Sequence, residues 1–122
     1  GYQEKVSQVM AALDVLLLPS TSPEPFGVVL LEAMSTGRPV IAAAHGGPLE
    51  IVVADQTGLF AQPRSAAHLA QAMIRLARDP AFRQKLGEGG RQRALAHYSY
   101  PAHVSAFEAL YERALEEKEM TA

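Results

Sequence analysis

The chain has 122 residues, of which 48% are hydrophobic, 20% charged and 7% aromatic, with no cysteine and a formal net charge of −2. That length suits one small domain with one core, the mixed composition excludes collagen-like, disordered and disulfide-scaffold classes, and the near-balanced charge argues against a nucleic-acid partner. The longest apolar runs, residues 15–18 and 28–31, fall far short of the roughly 18–20 residues a transmembrane helix needs, and thiolate chemistry and cysteine metal sites are ruled out.

Val6, Val9, Met10 and Leu13 recur at helical spacing and predict a short first helix within residues 1–12. Residues 15–18 (Val-Leu-Leu-Leu) are apolar at every position and predict a strand buried on both faces, as in a parallel sheet covered by helices on each side. A loop with Pro23 and Pro25 follows, then a helix over about residues 27–36 that Gly37 ends as a C-cap glycine.

Residues 40–44 predict a second buried strand. It leads into His45-Gly46-Gly47-Pro48, a turn that opens a short helix through Val53. Residues 59–61 predict a third strand. Ser65 is placed to N-cap a helix whose apolar stripe is Leu69, Met73, Ile74 and Leu76. A further helix starts at Asp79-Pro80 and meets Gly87, Gly89 and Gly90. Each interior glycine costs about 1 kcal/mol relative to alanine, so a break is expected there before helix resumes over residues 91–97. Pro101 suits the first turn of a last helix, with Val104, Phe107, Leu110, Tyr111, Ala114 and Leu115 as its core-facing side.

Strands alternating with helices through short connections imply right-handed crossovers and a parallel α/β sheet. Three strands are about half of a doubly wound nucleotide-binding domain, and the chain opens on Gly1 rather than Met. We therefore read it as the second half of such a domain, part of a longer parent.

Ligands of such sheets bind at the carboxyl ends of the strands, which singles out the loop from Ser20 to Gly27. Unpaired amides at the following helix start favour a phosphate oxygen, and Gly27 allows close approach. Glu24 lies in this loop and Glu32 follows eight residues later, in the helix. Each carboxylate offers two acceptor oxygens that match a sugar diol. From the residues alone, Glu24 reads more readily as a capping or loop-stabilising carboxylate and Glu32 as a solvated helical glutamate, because acidic residues near helix starts are common.

Three segments carry a resemblance: Asp14-Val15-Leu16-Leu17-Leu18-Pro19-Ser20; Glu24-Pro25-Phe26-Gly27-Val28-Val29-Leu30-Leu31-Glu32-Ala33-Met34; and Gly37-Arg38-Pro39-Val40-Ile41-Ala42. Together they resemble the donor-side signature of retaining GT-B glycosyltransferases of family 4. The likeness continues through Gly46-Gly47-Pro48-Leu49-Glu50-Ile51-Val52, Thr57-Gly58-Leu59-Phe60, Pro63 and Tyr98-Ser99-Tyr100, so it covers nearly the whole chain.

The resemblance implies a three-layer Rossmann-like fold in which residues 1–122 are part of the C-terminal, nucleotide-sugar-binding domain and residues 100–118 are its crossover helix. It implies that Glu24 and Glu32 form the family's E-x7-E motif. Glu24 would approach the transferred sugar as the catalytic carboxylate, and Glu32 would hold the ribose hydroxyls. The amides of Phe26, Gly27, Val28 and Val29 would face the sugar and diphosphate, with Gly46 and Gly47 in the loop lining the same cleft; the glycine pair reads equally as a tight turn, and His45, placed near that cleft, reads more readily as a polar turn residue than as a ligand contact.

The implied reaction is transfer of a sugar from a nucleoside diphosphate sugar with retention at the anomeric carbon. No cofactor or metal is expected, since the sequence has no Asp-x-Asp pair, and His45, His68, His97 and His103 lack i, i+4 ligand spacing. The family's diphosphate-binding arginine and lysine, and its acceptor domain for a sugar or lipid-linked acceptor, fall outside this chain. Alone it is therefore expected to be inactive, cytoplasmic, without a transmembrane segment, peripheral to a membrane only through other segments, and prone to self-association through the last helix. Arg38 is expected to be a solvated charge after its helix, and Arg83, Lys85, Arg91 and Arg93 a solvated face. Two other readings stay open: another nucleotide-sugar enzyme such as an epimerase, although the E-x7-E spacing argues for transfer, and a non-catalytic α/β interaction module.

Overall fold

A computed structural model of the chain describes residues 1–121. Its centre is a parallel sheet of three strands, β1 (Leu16–Leu18), β2 (Val40–Ala43) and β3 (Gly58–Ala61), in the order β1-β2-β3. The register aligns Leu17 with Ile41 and Ile41 with Leu59. Around it lie α1 (Val6–Ala12), α2 (Val28–Ser35), α3 (Pro48–Ile51), α4 (Ala66–Arg78), α5 (Pro80–His97) and α6 (Tyr100–Thr121).

Alternation along β2 divides the core between two faces, because successive side chains of a strand point to opposite sides. Val40 and Ala42 pack with Met10 of α1, Leu30, Ala33 and Met34 of α2, and Ile51 of α3. Ile41 points the other way and packs with Leu59, Ala72, Leu76 and Leu86. The layers predicted from the apolar strands are present. All four residues of β2 are buried, but β1 is only half-buried, contrary to the expectation of a strand covered on both faces. Among the described residues β1 pairs with β2 alone, and it is less covered than the other edge strand, β3, which α4 and α5 pack against.

The stop after α2 is a Schellman motif. Gly37, at φ 75°, donates its amide to Met34 O at 2.9 Å, and Arg38 donates to Ala33 O at 3.0 Å. Ser65 caps α4 as expected, its hydroxyl accepting from the His68 amide at 3.3 Å. The buried stripe of α4, however, is Ala72 and Leu76 with Leu69 half-buried, while Met73 and Ile74 are exposed; in α1 likewise Met10 is buried and Val9 is not.

The expected break at the glycines does not occur, since α5 is one helix of 18 residues. These glycines are smooth contact points rather than breakers. A Cβ on Gly87 would overlap the carbonyl oxygen of Gly37, one on Gly89 would overlap that of Gln56, and one on Gly90 would crowd Met34 at 3.3 Å. Gly37 precedes β2 and Gln56 precedes β3, so α5 passes beneath the amino ends of the strands, from Leu86 on one face to Ala94 on the other. Contact with the sheet outweighs the intrinsic helix penalty of glycine.

The last helix also departs from expectation. Phe107, Leu110, Tyr111 and Leu115 are 47%, 51%, 66% and 62% exposed, so the predicted stripe does not pack on this core. Among the described residues, no helix is long and apolar enough to cross a membrane.

Candidate functional site

Two loops leave the carboxyl ends of β1 and β2 and meet. The first, from Ser20 to Gly27, carries Glu24; the second is His45-Gly46-Gly47. Glu24 and Gly46 form a parallel backbone bridge, and the Gly47 amide donates to Glu24 O at 2.8 Å. Only glycine permits this approach. A Cβ on Gly46, which has φ 66°, would overlap the Glu24 backbone, and one on Gly47 would overlap the Phe26 backbone. Sequence alone placed both glycines in a tight turn; the structure adds that they dock one loop on the other.

His45 closes the same junction, its Nε2 lying 3.0 Å from Ser20 O. The Ser20 hydroxyl donates to Glu24 Oε2 at 3.2 Å, which fixes one oxygen of a half-buried carboxylate. Arg64, held at φ 60°, donates its Nε–H to Thr21 O at 3.3 Å from the loop after β3. Nothing in the sequence signals that brace, because 43 residues separate the two partners.

The loop ends at Gly27, whose φ of 99° turns the chain into α2. Among the described residues no protein acceptor pairs with the amides of Phe26, Gly27, Val28 or Val29, as expected for a helix start without a side-chain cap. The first turn is uncovered: Phe26 is 38% and Val28 59% exposed. Glu32, exposed as well, lies one turn beyond Val28 and so on the same face of α2. The helix start thus presents unpaired donors, with an exposed carboxylate further along the helix and a braced one in the loop before it.

Two residues at the end of α5 hold this arrangement from behind. Tyr98 donates its hydroxyl to Glu50 O at 3.0 Å and meets the Phe26 ring edge-on at 6.2 Å. Arg93 donates to Ile51 O at 2.7 Å and to Glu50 O at 2.9 Å, satisfying carbonyls at the end of α3. Arg93 was expected on a solvated face, and its half-buried role is a correction; its guanidinium also sits 5.9 Å from the Tyr98 ring. Arg38 is corrected in the same way. It is half-buried, with one guanidinium nitrogen donating to Ala11 O.

Residues 1–93 match the family model described as Glycosyl transferases group 1. N-acetyl-alpha-D-glucosaminyl L-malate synthase of Bacillus anthracis is 32% identical over 111 residues, covering 91% of this chain and 29% of that protein. The sucrose-phosphate synthase structure from Thermosynechococcus elongatus superposes with a TM-score of 0.81 at 38% identity, covering 89% of this chain and 27% of that one. Anabaena HepE, solved in complex with UDP-glucose, superposes with a TM-score of 0.85 at 30% identity, covering 92% and 31%. The chain therefore spans less than a third of the length of these relatives. With its parallel sheet and helices matching the C-terminal domains of GT-B enzymes, it belongs to the group 1 glycosyl transferases.

Proposed function

We propose that the chain is the donor-binding part of a glycosyltransferase that moves a sugar from a nucleoside diphosphate sugar to an acceptor with retention of anomeric configuration. The observation that carries this reading is the pair of glutamates about an uncovered helix start, with Glu24 held by Ser20 and Glu32 exposed on α2. Relatives support it: HepE was solved with UDP-glucose, and the B. anthracis enzyme is named for a glucosaminyl transfer product.

In this reading the bond from the anomeric carbon to the diphosphate oxygen breaks as the acceptor's hydroxyl oxygen bonds to the same face of that carbon, the hydroxyl proton leaves with the diphosphate, and negative charge grows on the departing phosphate during the step. The amides of Phe26, Gly27, Val28 and Val29, with the positive end of α2, oppose that charge, while Glu24 faces the positive charge developing on the sugar ring. Glu32 accepts from the two ribose hydroxyls. His45, Gly46 and Gly47 keep the second loop against the first. Further neutralisation of the diphosphate comes from basic residues outside this chain, and no metal or cofactor takes part. The acceptor, a sugar or a lipid-linked acceptor, is held by an N-terminal domain, to which α6 returns.

The test uses the full-length protein containing this chain. Glu32→Gln exchanges a charged acceptor for a neutral one and raises the donor KM by about tenfold to a hundredfold, the equivalent of roughly 1.5–3 kcal/mol. Glu24→Gln lowers kcat by about two to three orders of magnitude with a smaller change in KM. Unchanged kinetics in both variants, or an inverted anomer in the product by proton NMR, would sink the reading. The 122-residue chain alone, titrated calorimetrically with UDP-, GDP- and ADP-sugars, is expected to bind weakly or not at all; micromolar binding would show that the phosphate cations lie within it.

A further inference from the structure

At the opposite end of the sheet from the two site loops, a 320 Å³ pocket is lined by Arg38, Arg83 and Arg91 together with Asp14 and Glu88. Asp14 and Arg38 lie just before β1 and β2, and the other three come from α5. Each arginine has one donor fixed on a backbone carbonyl: Arg38 on Ala11, Arg83 on Leu76 at 2.9 Å, and Arg91 on Ser35 at 2.9 Å. These bonds orient the guanidinium groups without neutralising them. Among the described residues, the ion pair between Arg75 and Asp55 lies elsewhere, and neither Asp14 nor Glu88 pairs with these arginines. Nε of Arg38 is buried and has no hydrogen-bond partner.

That nitrogen is closed to solvent and so to a ligand, but the remaining N–H groups of three guanidinium forks, each held by one carbonyl bond at the rim of one pocket, suit a tetrahedral oxyanion. Three positive charges against two negative leave the pocket one charge positive. A carboxylate has only two oxygens to bind, whereas a phosphate has enough oxygens for three arginines and a larger charge to be drawn by them. We propose that Arg38, Arg83 and Arg91 form a phosphate-binding site, separate from the sugar-donor site, for inorganic phosphate or a phosphate monoester. Its place beneath β2 and against α5 gives a bound phosphate leverage on the packing of α5, which also carries Arg93 and leads into Tyr98 behind the donor loops.

The test follows the arginine Nε–Hε and backbone amide NMR signals of the 122-residue chain. Inorganic phosphate is titrated against sodium chloride of equal ionic strength. A saturable shift of the Arg38 and Arg91 signals is expected with phosphate only, along with a rise in Tm that grows with phosphate concentration. Arg38→Gln and Arg91→Gln each weaken binding about tenfold or more, Arg38→Lys weakens it while keeping the charge, and Arg75→Gln leaves it unchanged. Arg91 is exposed, so its variant keeps the test decisive if Arg38→Gln does not fold. Co-sedimentation with phosphatidylcholine vesicles containing phosphatidic acid, lost in Arg91→Gln, assigns the phosphate to a lipid headgroup; saturable binding of free phosphate without co-sedimentation assigns it to a soluble one. Shifts confined to the amides of Val28 and Val29, non-saturable shifts, or affinity unchanged in Arg38→Gln and Arg91→Gln would overturn the proposal.

Discussion

Gly47 carries a heavier constraint than its place in a turn suggests. Its amide holds the Glu24 carbonyl at 2.8 Å, and any Cβ there would overlap the backbone of Phe26. Gly47→Ala must push the two loops apart, and the expected cost is about 1–3 kcal/mol, measured by urea unfolding. A neutral effect would show that the loops do not meet as described. Tyr98→Phe is milder, since it keeps the ring against Phe26 and removes only the hydroxyl bond to Glu50 O. Its expected cost is about 0.5–1.5 kcal/mol in the same measurement. At this scale the sequence disclosed residue types and spacing. It did not disclose the partners Ser20 to Glu24, Arg64 to Thr21 and Tyr98 to Glu50, because individual side-chain hydrogen bonds leave no periodic trace.

Among the elements, α5 is where local preference and tertiary contact disagree most. Alanine is favoured over glycine by about 1 kcal/mol in a helix interior, so propensity alone predicts that Gly87→Ala stabilises the chain. Contact with the Gly37 carbonyl predicts the reverse, a loss of about 1–3 kcal/mol, because Gly37 sits in the Schellman turn and cannot retreat without undoing it. Thermal unfolding separates the two: a raised Tm would mean that α5 does not press on the strand ends. The elements read correctly, β2, α2 and the capped start of α4, are those whose pattern is set locally by apolar runs, a C-terminal glycine or an N-cap serine. The buried side of α4 departs from its apolar pattern because Met73 and Ile74 are apolar yet exposed, and only the packing of Ala72 and Leu76 reveals which side faces the sheet.

For the whole molecule, α6 is the element that this core does not use. His103, Phe107 and Tyr111 form a tilted aromatic row along one side, with ring centroids 4.8 and 6.4 Å apart, and Leu110 and Leu115 are exposed beside it. An apolar surface of this kind favours association. Light scattering coupled to size exclusion is expected to detect oligomers of the 122-residue chain at high concentration, and Phe107→Asp with Tyr111→Asp to return it to monomer. A wild-type monomer throughout the concentration series would count against this. By itself the sequence determined the α/β class, the strand order along the chain, the glycine-rich turns and the two glutamates, since each rests on short-range pattern or on a motif spanning a few residues. Only the tertiary structure decided that β1 is a half-covered edge, that α5 runs unbroken beneath the strands, that Arg38 and Arg93 turn inward to backbone carbonyls, and that α6 stands off the core. Those outcomes depend on which surfaces meet across long sequence separations, and hydrophobic burial together with close backbone contact overrules local propensity wherever the two compete.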